Sequence, residues 1–217
     1  VSLWHCVNLR KKNSKMWLSI FLIFISCFFT TCGGFYWLDC NHINRRVFVP
    51  THLPYQEYLP LVMWNVFGWL PLVLYFACPL VSFDDDCLWW HIPLDLLVFV
   101  VLFDVFFTAT HSILHRPYFY NQIHFIHHRM TTNCIAVGAF YCHPLEFVFG
   151  NVLPAMLAVL CHWHIRTMSV WIWSGFAAVN VAYAHGGYEF LPRVPSHLWH
   201  HKLQQSKRYL GTLGLLE

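Results

Sequence analysis

Charge is what this chain has least of. Only 11% of its 217 residues are Asp, Glu, Lys or Arg, where ordinary soluble domains carry about 25%. So few charges cannot clothe a soluble surface, so lipid must cover much of the molecule. Long basic runs are missing too. None exceeds Arg10-Lys11-Lys12 and the formal net charge is +3, so no nucleic-acid partner is expected. The nine cysteines contain no CxxC pair and no zinc-ribbon spacing. That removes thiolate metal sites and dithiol redox chemistry, and leaves reduced thiols buried in apolar helices. Internal repeats, low-complexity tracts and flexible linkers are absent as well. Residues 1–217 therefore read as a single membrane domain.

What fills the chain is apolar: 58% hydrophobic and 19% aromatic. The uncharged stretches mark candidate spans at 16–38, 59–83 and 88–110, the last with Asp95 and Asp104 inside it. The first is too long for a signal-peptide core and reads as a retained anchor. Residues 147–185 contain one charge, Arg166, and read as a hairpin of two short spans that turns at Arg166. Lipid-exposed backbone must satisfy its own hydrogen bonds, so the fold class expected is all-α, an integral membrane helical bundle.

Three histidine boxes stand against this background. His111-Ser-Ile-Leu-His115, His124-Phe-Ile-His127-His128 and His197-Leu-Trp-His200-His201 hold eight of the sixteen histidines. Histidines three or four apart on a helix project from one face. Imidazole suits Zn, Cu, Fe and Ni, and this many ligands exceeds the need of one ion, so the pattern reads as a two-metal site. His185, in Ala-His-Gly-Gly-Tyr-Glu, follows the last apolar run and reads as a ninth ligand. His143 is either a ligand, a partner that orients one, or structural. His162 and His164 lie beside the hairpin turn and read as structural.

Among the acids, Asp104 lies about two turns before His111. It either accepts an imidazole N–H or pairs with a buried base. Glu189 lies four residues after His185 and is either a carboxylate ligand or a solvated acid. Glu146, beside His143, either caps the following helix or supports the site.

Boxes that share ions must lie on one side of the bilayer, and the 147–185 hairpin returns the chain to that side. The box side then carries Arg45, Arg46, Arg116, Arg129, Arg193, Lys202, Lys207 and Arg208. The other carries Arg10, Lys11, Lys12, Lys15 and Arg166. The positive-inside rule places the boxes in the cytosol, as a histidine-rich di-metal cap. It also places the N-terminal flank in the lumen, a conflict that disappears if 16–38 lies in the interface.

The order HxxxH, HxxHH, HPLE, HGGY, HxxHH resembles the fatty acid hydroxylase superfamily, which includes sterol C4-methyl oxidases and sterol desaturases. The shared stretches are 111–128, 141–146, 185–192 and 197–217, about half of the chain. The resemblance implies an endoplasmic reticulum membrane protein. It implies two iron ions, with zinc in a recombinant or inactive form, held by His111, His115, His124, His127, His128, His185, His197, His200 and His201. It also implies O₂ as oxidant, electrons from NAD(P)H through cytochrome b5 and its reductase, and a sterol or fatty acyl lipid as substrate. No catalytic residue beyond the metal ligands is expected.

Two positions depart from the family pattern. Glu189 stands where relatives carry His, Asn or Asp, and Leu198 stands where Asp usually follows the first histidine of the last box. They motivate the alternative of a non-catalytic membrane protein with a structural metal pair. A histidine-lined metal transporter ranks last, because the boxes fall at helix ends on one side and not at mid-membrane depth.

Overall fold

The computed structural model describes residues 3–50, 52–85, 89–190 and 194–203, with side chains described from residue 15 and, in the last helix, from residue 197. These form an all-α membrane helical bundle. Among the described residues, β pairing is confined to two isolated bridges, Arg46 with Tyr188 and Asp84 with Arg166.

Three segments are long and apolar enough to cross a membrane: Lys15–Asn41, Tyr55–Leu80 and Trp89–Leu114. The first belongs to α1 (Leu3–Asn41), which starts well before the expected span because its lysines and arginine are good helix formers. The second runs from α2 (Tyr55–Met63) through a π-helical turn, Trp64–Trp69, into α3 (Leu70–Ala77). Pro71 has no N–H to offer the carbonyl one turn back, and the ladder widens there. The third ends with α4 (Ile92–Leu114), which passes the expected limit of 110 and so carries His111. It stops because Pro117 forces Arg116 into extended backbone.

The 147–185 stretch is a helical hairpin of two short arms. Its first arm runs Pro144–Leu160, as α7 (Pro144–Glu146), a π turn (Phe147–Val152) and α8 (Leu153–Leu160). Its second is α9 (Thr167–Ala184). At 17 and 18 residues these reach about 26 Å, short of the roughly 30 Å hydrocarbon core. The turn between them holds Arg166, whose Nη1 lies 2.8 and 3.0 Å from the two oxygens of buried Asp95. His162 packs 3.3 Å from Asp95 and His164 pairs with Asp84 at 2.8 Å. Both histidines are therefore structural, at the end of the bundle far along the chain from the boxes.

α1 packs along α9, and α4 packs against α8. Gly175, Ala178 and Ala182 on α9 are small enough for a close approach, with Cys27 against Gly175. α1 thus packs within the bundle, and its apolar part is long enough to cross a membrane. Leu22, Phe76, Leu97 and Val105 remain exposed and face outward, as lipid-covered helices require.

A buried polar knot ties the segment after α1 to the end of α9. Asp39 accepts from Arg46, from Tyr55 Oη at 2.5 Å and from Tyr188 Oη at 2.8 Å. Arg46 also donates to the Cys134 carbonyl. Gly187 has φ +84°, and a Cβ there would strike the Arg46 guanidinium; a Cβ on Gly186 would strike Phe35. The two glycines after His185 are thus needed for the backbone to pass this knot. Counted above as loop charges, Arg46 and Arg166 are instead neutralised inside the fold. Arg193, Lys207, Arg208 and the 204–217 part of the family resemblance lie outside the described residues.

Candidate metal centre

Four short helical pieces bring the boxes together. The end of α4 supplies His111 and His115. After α5 (Pro117–Phe119), a π turn (Tyr120–His124) and α6 (Phe125–His128) supply His124, His127 and His128. The C-cap of α9 supplies His185, and α10 (Val194–Leu203) supplies the rest. α10 is pinned by Trp199 edge-on to Phe48, with the Lys202 ammonium 4.5 Å from the Phe48 ring.

All nine histidines named from the sequence meet. They fall into two groups, His111, His115, His124, His128 and His200, and His127, His185, His197 and His201. Within each group the candidate ligand atoms lie within 4.8 Å of one another, and every member is buried. The second box is split between the groups: His124 and His128 share one face of the turn and adjacent His127 points to the other.

In the first group the Nε2 atoms of His111 and His124 are 3.1 Å apart, those of His115 and His200 3.1 Å, and those of His200 and His111 3.2 Å. In the second, His197 and His185 are 3.0 Å apart, His201 and His197 3.2 Å, and His185 and His127 3.4 Å.

Tautomers decide what those contacts mean. His124 Nδ1 faces Glu146 Oε1 at 2.8 Å, His127 Nδ1 faces the Tyr141 carbonyl at 3.3 Å, and His185 Nδ1 faces the Val181 carbonyl at 2.9 Å. Each of these acceptors holds the proton on Nδ1 and leaves a lone pair on Nε2. His127 and His185 therefore point two lone pairs at each other. A cation between them would resolve that contact. Ligand nitrogens about 2.1 Å from an ion are about 3.0 Å apart at a right angle and about 3.4 Å apart at the tetrahedral angle. The observed 3.0–3.4 Å edges fit that polyhedron, so the donor set suits a pair of imidazole-bound transition metals.

Burial keeps the imidazoles neutral. It lowers His124 to about 3 and His185 to about 4, and it pushes His127, His128, His197 and His201 well down. In the metal-free protein this has a sign. Between pH 6.5 and about 4 the unfolded chain takes up protons that these two buried rings refuse, so stability is complete above 6.5 and falls as pH falls. From pH 7.5 to 5.0 the expected loss is about 2 kcal/mol for His185. Thermal melts of metal-free protein at the two pH values check it; equal melting temperatures would contradict it.

The carboxylates separate. Glu146 is buried and orients His124, acting on the site through an imidazole. A Glu146→Ala variant is expected to bind metal about 10–100-fold more weakly, measured by competition with a chromophoric chelator. Glu189 does not reach either group. It is exposed and pairs with Arg45 Nε at 2.7 Å, because its backbone N–H is drawn to the Arg45 carbonyl at 3.2 Å. His143 also stays outside both groups; its Nδ1 accepts from Leu145 N and caps α7. Asp104 is buried on α4 and belongs to neither group. Leu198 is buried in the apolar core. The Tyr141 and Val181 carbonyls had no sequence signal, since any residue carries one.

Two cavities lie among the described residues, and the smaller opens on the histidines. A chamber of about 140 Å³ lies among the helices, walled by Phe24, Phe103, Phe147, Met156 and Trp173. A smaller space of about 20 Å³ opens on His111, His124, His127, His185 and His197. Asn151 and Val181 border both.

An apolar helical bundle with two buried polyhistidine groups defines a class of membrane protein with a candidate metal centre. The fatty acid hydroxylase family model matches residues 96–217, and the chain belongs to that family. It is 34% identical over 156 residues to fatty acid hydroxylase domain-containing protein 2 of Macaca fascicularis, covering 68% of this chain and 45% of that protein. Likeness extends to methylsterol monooxygenase 2-2 of Arabidopsis thaliana, 27% over 129 residues, covering 55% and 47%. It extends also to C-4 methylsterol oxidase erg25 of Schizosaccharomyces pombe, 36% over 107 residues, covering 46% and 33%. The chain spans about half the length or less of these curated relatives. No solved structure matches it.

Proposed function

We propose that this chain is a membrane-bound non-haem di-iron oxygenase. It inserts oxygen into a C–H bond of a sterol or fatty acyl lipid, using O₂ and NAD(P)H-derived electrons delivered through cytochrome b5 and its reductase. The observation that carries this reading is the pair of buried imidazole groups around a small space that shares Asn151 and Val181 with an apolar chamber. The relatives' names, hydroxylase and methylsterol oxidase, support the reaction class.

Bound iron would supply O₂ activation and hydrogen abstraction from an unactivated carbon. The chain's own residues do the rest. Nine imidazoles hold the pair, and the Tyr141 and Val181 carbonyls and Glu146 fix three ring tautomers. The aromatic chamber keeps water out and lets the lipid body stay among the helices while one carbon reaches the small space. In the cell we place the boxes on the cytosolic face of the endoplasmic reticulum, where the reductant is available. The basic residues around the boxes support that orientation.

The test is co-expression with cytochrome b5 and its reductase under ¹⁸O₂, followed by lipid mass spectrometry. An ¹⁸O-labelled sterol or acyl lipid is expected. No labelled lipid, together with a redox-silent zinc pair and no O₂ consumption, would favour the second reading, a metal-braced protein without catalysis. Two observations favour that reading: Glu189 is turned to Arg45, and Leu198 packs in the core.

A further inference from the structure

α10 buries the wrong kind of face for a helix held by packing alone. Of its described side chains, 197–203, four are buried: Leu198 and the histidines His197, His200 and His201. Trp199 and Leu203 stay 42% and 52% exposed. A docking face made mostly of imidazoles gains little from leaving water, and polar atoms buried without partners oppose docking. Among the described residues, the Nδ1 atoms of His197 and His201 are buried with no hydrogen-bond partner. His124, His127 and His185 differ, since a carboxylate or a carbonyl faces each of their Nδ1 atoms. Trp199 against Phe48, with the Lys202 ammonium over both rings, adds a grip at the surface.

The two groups lean on α10 unequally. The first draws four imidazoles from residues 111–128 and only His200 from α10. Without α10 it still has a tetrahedral set. The second takes His197 and His201 from α10. Without them it keeps only His127 and His185, whose Nε2 atoms oppose at 3.4 Å, and two ligands do not complete a site. We infer that α10 is a strap docked by metal: the first ion loads into the 111–128 histidines without it, and the second ion seats it through His197 and His201. His197 also lines the small space, so seating α10 completes the wall of that space. The inference rests on the metal reading of the boxes, and not on the oxygenase chemistry proposed for them. An ion that needs a helix in place binds more weakly in proportion to the fraction of time the helix is already there. The second ion is therefore expected to bind at least about 10-fold more weakly than the first.

The experiment follows metal and helix together. Full chain in lipid nanodiscs is stripped of metal, and Zn²⁺ is added stepwise. Bound zinc per chain is measured beside amide hydrogen exchange at 194–203. In wild type, protection of α10 is expected to arrive with the second equivalent and not with the first. His197→Ala/His201→Ala is expected to keep about one ion per chain, held as tightly as the first ion of wild type, with α10 unprotected at every zinc level. Unchanged protection of α9 shows that the variant is folded; the wild-type course decides the matter even where it is not. Protection of α10 in metal-free wild type, or complete protection at the first equivalent, would overturn the inference. So would a folded double variant that holds two ions or none. Wild type that binds no zinc would sink the metal reading and this inference together. Protection on the second equivalent with no ¹⁸O product would uphold the strap and sink only the oxygenase reading.

Discussion

A His127→Ala/His128→Ala variant is expected to make no detectable oxidised lipid, a fall of at least about 1,000-fold. The two residues are adjacent in sequence but serve different groups. His128 belongs with His111, His115, His124 and His200, and His127 with His185, His197 and His201. One local change therefore damages both metal positions. In the first group four imidazoles remain, and in the second three. The loss of His127 also leaves the Tyr141 carbonyl without its ring partner. The measurement is metal content per chain by mass spectrometry beside ¹⁸O incorporation in the same membranes. Metal content is expected to fall with product. Undiminished product from this variant would defeat the metal reading of the boxes altogether.

Asp39→Ala is expected to be the most damaging substitution outside the histidines. Asp39 is buried and accepts from one guanidinium and two phenols. Removing one partner of a buried ion pair costs about 3–5 kcal/mol, since the other charge is left uncompensated. For a chain of this size that is roughly a 10 °C drop in melting temperature. The knot also holds Tyr188, three residues after His185, so weaker metal retention is expected alongside. Replacing both charges, Asp39→Asn with Arg46→Met, is expected to recover part of the loss, because no buried charge then remains unpaired. Thermal melts in detergent decide it. A single variant that melts within a degree of wild type would show that the pair contributes nothing.

Much of this was legible in the residues. Missing charge marked the spans, and 16–38 and 59–83 overlap crossing helices closely. Ligand spacing named eight histidines and position after the last apolar run a ninth, and the structure draws all nine into two groups. Where the reading left alternatives open, long-range contact decided them. Glu189 was either a carboxylate ligand or a solvated acid; a positive-φ glycine intervenes after His185, and Glu189 is exposed and paired with Arg45. The 147–185 hairpin was read as two short spans from its lack of charge alone. Hydropathy does not register that α9 buries its small residues against α1.

The sequence by itself determined that this is an all-α membrane protein with a polyhistidine centre, because hydropathy and helical periodicity are local properties of a chain. Only the tertiary structure decided how the nine imidazoles divide five and four and which carbonyls fix their tautomers. Those depend on distances between residues far apart in sequence, which no spacing along the chain encodes.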